Sequence, residues 1–171
     1  HRDLHRLIRR QRQMCIRDSV RKDSEKKEKQ RKLFRRLLEI AKRNNKPVSI
    51  HSRGAWMDCV EITAEMGVKR AIFHWFSGPK ETLKRLLDYG YYVSATPAAE
   101  YSKEHREVIR NTPLENLLLE TDSPVSYRGK PAEPADVIKS LFAVANLKNV
   151  DEEKVAEETS ENAREIFRIN F

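Results

Sequence analysis

The sequence predicts an α/β fold, the C-terminal half of a TIM-type (β/α)8 barrel with four parallel strands and flanking helices. Three observations lead there. From Pro47 onward, short β-rich runs alternate with amphipathic helical stretches. The runs are apolar nearly throughout, as strands buried on both faces are. Polar residues, His51, His74 and Asp122, recur at the C-terminal ends of those runs, the rim at which barrels carry their chemistry. Alternation at this spacing calls for parallel strands joined by right-handed crossovers. A doubly wound sheet would show a Gly-rich turn after its first strand, and HSRGAW after PVSI is not one. A full barrel takes about 250 residues, so 171 residues with four visible strands read as half of one.

Each element has its own signal. Residues 25–45 place Leu33, Phe34, Leu37, Leu38 and Ala41 on one helical stripe, with Lys, Arg and Glu opposite. PVSIH (47–51) is the first strand, followed by a helix over 55–66 that Gly67 closes. RAIFH (70–74) is the second strand. The next helix opens at Pro79, where a missing N–H costs nothing, carries Leu83, Leu86 and Leu87, and stops at Gly90. YYVSA (91–95) is the third strand, and a helix over 103–110 follows, halted by Pro113. LLLET (117–121) is the fourth strand, after which two or three helices are expected, over 134–145, 151–158 and a short stretch 160–167.

Composition narrows the class. The chain is 35% charged with a net charge of +8, and its mean hydropathy is −0.75. No apolar run approaches the roughly 18–20 residues of a membrane span, so no membrane partner is expected. The start, HRDLHRLIRR, lacks the apolar centre of a secretion signal. Cys15 and Cys59 are neither spaced as a metal pair nor numerous enough for a disulfide scaffold, which makes a reducing, cytoplasmic setting the expectation. The positive charge is concentrated: residues 1–50 hold 18 Lys and Arg against 6 Asp and Glu, and the remainder is mildly acidic. A basic run by itself reads more simply as a solvated face than as a nucleic-acid site.

The chemistry lies at the strand ends. His51 and His74 each close a strand, in register, so both imidazoles are expected at one rim. Neutral imidazole is a common ligand of divalent metals. Either histidine alone would read as a hydrogen-bonded rim residue. Asp122, after the fourth strand, either caps the Ser123-Pro124 turn or completes a set of two imidazoles and a carboxylate. Such a set holds a metal and orients water for attack. Glu120 shares its side of the strand with Asp122 and is either a supporting carboxylate or a paired interior acid. His105, in KEHREV, reads as solvent-exposed, and His1 and His5 belong to no motif.

PVSIHSR, IFHWFSG and PLENLLLETDSP resemble three C-terminal signatures of the TatD family of metal-dependent deoxyribonucleases, and YRGKPAEPADV and TSENAREIF are similar to later parts of that family. The resemblance implies a hydrolase cleaving phosphodiester bonds, with DNA as substrate and Mg²⁺, Mn²⁺ or Zn²⁺ as cofactor. It makes His51, His74 and Asp122 metal ligands, with Asp122 also taking a proton from the attacking water. It sets Arg53 and Arg128 near the substrate phosphate; both otherwise read as ordinary loop arginines. Ser77 and Gly78 match the FSG turn, which offers N–H groups to an anion or simply starts a helix. Trp56 and Trp75 read as packing more readily than as base-stacking residues.

The family also places a His-x-His pair and a bridging Glu ahead of the HSR strand, and this sequence shows neither. A truncated domain of low or no activity alone is therefore expected over 20–171. Residues 1–19 carry no resemblance and read as a non-native or disordered basic segment, RQRQMCIRDS being similar to translated sequencing-adapter read-through. The alternatives are a related barrel acting on amide or other ester bonds, and an inactive barrel fragment.

Overall fold

The computed structural model describes residues 14–15 and 24–169. Its main sheet has five strands in the order β1 (Met14–Cys15), β2 (Val48–His51), β3 (Ala71–Phe73), β4 (Tyr92–Ala95) and β5 (Leu117–Leu119). All four pairings are parallel. Each strand neighbours the next in sequence, the winding of a barrel wall. A doubly wound sheet would reverse its order at a switch point. The four expected strands are present. The fifth, β1, pairs Met14 with Ile50 and Cys15 with His51. It falls inside the segment 1–19 set aside from the sequence; apart from those two residues, that expectation lies outside the described residues.

The helices are α1 (Ser24–Arg43), α2 (Trp56–Glu65), α3 (Lys80–Asp88), α4 (Lys103–Asn111), α5 (Val137–Lys148) and α6 (Glu152–Phe167). On α1, Phe34 and Leu38 are buried and Leu37 and Ala41 pack beside them. Leu33, expected on that stripe, is 61% exposed and lies off its flank. Arg31 and Arg35 reach from α1 to Asp58 and Glu65 at the two ends of α2, each at 2.6 Å. Pro79 caps α3 rather than occupying its first turn, and Gly90, at φ 71°, turns the chain into β4.

The two helices expected over 151–158 and 160–167 are one. Thr159 Oγ donates back to Val155 O at 2.7 Å, so the polar Thr159-Ser160 step satisfies itself along the helix instead of ending it. Val155, Thr159, Asn162 and Ile166 form the buried stripe of α6. Asn162 Nδ2 donates to Leu114 O and Leu117 O at 2.9 and 2.8 Å, tying α6 to the start of β5.

Alternation along the strands sorts side chains onto two faces. Ile50, Phe73, Val93 and Leu117 point into the main core with the helices. On the opposite face, Ile72 and Leu118 pack with Ile166, Tyr92 and Ala163 in a second apolar cluster. One step further along the strands, that second face carries His51, His74, Ser94 and Glu120. Among the described residues, no helix is long and apolar enough to cross a membrane.

Candidate functional site

His74 follows β3 directly, and its backbone N–H donates to Ile50 O at 3.0 Å, carrying the sheet ladder one residue further. His74 is buried at 3% exposure. Its Nδ1–H donates to Glu120 Oε1 at 2.6 Å, and its Nε2 lies 3.4 Å from Asp122 Oδ2. One imidazole therefore stands between two carboxylates. Burial alone would lower the His74 pKa, but hydrogen bonds to Asp122 and Glu120, with their charges, raise it to about 9.

Asp122 sits at φ 51°, a left-handed conformation that Asp adopts more readily than most residues. Val125 N–H donates to Asp122 O at 2.9 Å. The Asp122 backbone starts the turn, and its carboxylate faces His74. The loop is pinned by Tyr127 Oη donating to Thr121 O at 3.0 Å and Ser123 Oγ donating to Ala132 O at 2.6 Å.

His51 ends β2, and its ring centroid is 5.6 Å from that of His74, tilted by 36°. The two imidazoles do meet at one rim. Yet among the described residues no group of three or more His, Cys, Asp and Glu is arranged to hold a metal ion. His74 and Asp122 form a close pair; His51 is adjacent without closing a ligand set. The donor chemistry nonetheless fits a divalent cation. With Nδ1 committed to Glu120, His74 turns Nε2 toward the Asp122 carboxylate; a proton joins the two in the metal-free chain, and a divalent cation would take that proton's place. A carboxylate behind a ligating imidazole is the usual support of metal-binding histidines.

The arginines are placed differently. Arg53 is exposed in the turn two residues past His51. Arg128 lies in a hairpin between β6 (Ser126–Tyr127) and β7 (Lys130–Pro131). Arg128 and Gly129 both have positive φ, as a two-residue hairpin loop requires. The Arg128 guanidinium stacks on Tyr101 at 4.5 Å. Tyr127 rests against Trp75 with ring centroids 5.5 Å apart, bringing the hairpin to the residue after His74.

Gly78 has a packing role: an added Cβ would stand 2.6 Å from Phe76 Cζ and 2.7 Å from Trp56 Cγ. Ser77 Oγ donates to Trp75 O at 3.1 Å, within the same turn. His105 is not exposed but fully buried. Its Nδ1–H donates to Phe76 O at 2.9 Å, and its Nε2 accepts Thr96 N–H at 3.2 Å. It braces the loops after β3 and β4. The spacing of His105, Val108, Ile109 and Thr112 (i, i+3, i+4, i+7) was the available signal, hidden among charged neighbours. Ser94, also missed from the sequence, is buried at 2% exposure and donates to Glu120 Oε1.

A family model described as "TatD related DNase" matches residues 1–168. An uncharacterized metal-dependent hydrolase, YabD of Bacillus subtilis, is 35% identical over 156 residues, 86% of this chain and 61% of the relative. The human protein named deoxyribonuclease TATDN3 is 32% identical over 145 residues, 84% of this chain and 53% of the relative. The crystal structure of YjjV, a TatD homologue from Escherichia coli, superposes with a TM-score of 0.81 at 25% identity, covering 91% of this chain and 63% of that one. An amidohydrolase from Saccharomyces cerevisiae has the same fold, with a TM-score of 0.76 at 18% identity over 96% of this chain and 69% of that one. The chain spans roughly half to three-fifths of the length of these curated relatives.

Proposed function

This chain belongs to the TatD related DNase family, and on that premise we propose that it serves a metal-dependent hydrolase of phosphodiester bonds, with DNA as substrate. The observation that carries this reading is the His74 imidazole held between Glu120 and Asp122, with His51 one ring away. The five-stranded sheet is read as an arc of an eight-stranded barrel, in a cytoplasmic protein.

His51, His74 and Asp122 would hold the cation, Mg²⁺, Mn²⁺ or Zn²⁺. When bound, a divalent cation supplies Lewis-acid stabilisation of charge on phosphoryl oxygens and a more acidic water. The chain's own residues do the rest. Glu120 holds the ring of His74. Asp122 accepts a proton from the attacking water, its carboxylate kept at the rim by the turn it starts. Arg53 and Arg128 meet the substrate phosphate.

The test uses the full chain. Titration with Zn²⁺ in a calorimeter should show binding that His74→Ala and Asp122→Asn each abolish, with the circular dichroism of both variants unchanged. Binding indifferent to both substitutions would remove the metal role. Incubated with DNA and Mg²⁺ or Mn²⁺, the chain should cleave weakly, because the sequence contains no His-x-His pair. Either substitution should then lower turnover by orders of magnitude. Robust cleavage by the unaltered chain would overturn the expectation of low activity, and preferential turnover of amide or simple ester substrates would move the reading to a related hydrolase.

A further inference from the structure

Ser94 lies on β4, the strand between the one that leads to His74 and the one that leads to Glu120. Alternation puts its side chain on the same face as both. The hydroxyl is buried and doubly engaged. It accepts the backbone N–H of Trp75 at 3.2 Å and donates to Glu120 Oε1, the same oxygen that receives His74 Nδ1–H at 2.6 Å. A carboxylate with several rotatable bonds is thereby fixed from two directions, and the lower end of the chain is anchored where Ser140 Oγ donates to Glu120 O at 2.8 Å. Because an amide N–H can only donate, Trp75 sets the direction of the hydroxyl: Ser94 has its proton left for Glu120 and none for anything else.

We propose that Ser94 is a positioning residue: its hydroxyl, oriented by the Trp75 amide, holds the Glu120 carboxylate on Nδ1 of His74 and so keeps Nε2 turned to Asp122 and to a divalent cation. The inference rests on the metal-hydrolase reading for its last clause only. The hydrogen-bond relay stands without it.

The experiment has two arms on the full chain. In ¹H–¹⁵N spectra of the metal-free protein, the His74 Nδ1 proton should be far downfield and slow to exchange. In Ser94→Ala it should exchange faster and move upfield, and in Ser94→Thr, which keeps the hydroxyl, it should recover. A change confined to packing would leave this proton where it was. In calorimetry with Zn²⁺ alone, Ser94→Ala should weaken binding by about tenfold, in the range seen when supporting partners of a ligand are lost, and Ser94→Thr should restore most of it. An unchanged Nδ1 proton in Ser94→Ala overturns the proposal. If the unaltered chain binds no Zn²⁺, the metal reading fails while the proton arm still judges Ser94. If Ser94→Ala does not fold, Ser94→Cys keeps the volume with a weaker donor, and the same proton, unmoved in that variant, would equally overturn the proposal.

Discussion

Acid should destabilise this fold through one buried ring, His105. The imidazole has no solvent exposure and is wired as a neutral tautomer, Nδ1–H to Phe76 O and Nε2 from Thr96 N–H. A second proton would have to sit on Nε2, against an N–H that already points there. Burial therefore pushes the pKa down from 6.5 to about 4, the Phe76 carbonyl recovering only part of the loss. The sign follows from linkage. Above pH 6.5 the ring is neutral in both folded and unfolded chains and contributes no pH dependence. As pH falls below 6.5 the unfolded chain takes up a proton that the folded one refuses, so stability drops until the folded ring also protonates near pH 4. A shift of about 2.5 units at about 1.4 kcal/mol each gives a full loss of about 3.5 kcal/mol, with about 2 kcal/mol of it gone by pH 5. The assay is urea unfolding of the chain and of His105→Gln at pH 7, 5 and 4. Gln does not titrate, so the stability advantage of the unaltered chain should shrink by about 3 kcal/mol over that range. His74 and the carboxylates are present in both proteins and cancel in the difference. Parallel pH dependences would refute the reasoning, because they would mean that the ring accepts its proton in the folded state.

Three further outcomes are expected. Asn162→Ala removes both bonds that α6 makes to Leu114 O and Leu117 O and should cost about 2 kcal/mol. Asn162→Asp should be no better by the same urea assay, since a carboxylate cannot donate to those carbonyls. Gly78→Ala places a Cβ against the Phe76 and Trp56 rings and should lower stability by about 1–3 kcal/mol; tryptophan fluorescence will report the displaced indole, and an unshifted spectrum at full stability would contradict the contact. Phe34→Ala, at the buried centre of the α1 stripe, should cost about 3–5 kcal/mol. A thermal melt within a degree of the unaltered chain would show that α1 is not docked as described.

Much of this protein follows from local pattern alone. Four apolar runs became four parallel strands because a strand buried on both faces needs no partner to be recognisable, only continuous Val, Ile, Leu and Phe. The stripes of α1 and α3 and the stop at Gly90 were equally local. His51, His74 and Asp122 were legible as strand-end polar residues in a run of otherwise apolar strands, and their shared rim followed from register. What escaped were features whose meaning lies across the chain. The break expected at Thr159-Ser160 was a fair reading of two polar residues. It fails because Thr159 bonds back to Val155 O and the helix buries one continuous stripe. His105 read as polar surface because its neighbours are charged; only packing against the Phe76 and Thr96 backbones makes it core. Ser94 looked like any serine in a strand.

The sequence by itself thus determined the alternation of elements, the apolar faces and which residue types stand at the sheet's C-terminal rim, because periodicity and turn chemistry act over a few residues. Tertiary structure alone decided who faces whom: that Glu120 takes Nδ1 of His74 while Asp122 takes Nε2, and that Ser94 from the intervening strand steadies the first of these. Hydrogen bonds depend on distance and direction between groups brought together by neighbouring parallel strands, and residues 74, 94, 120 and 122 acquire that geometry only after the strands are laid side by side.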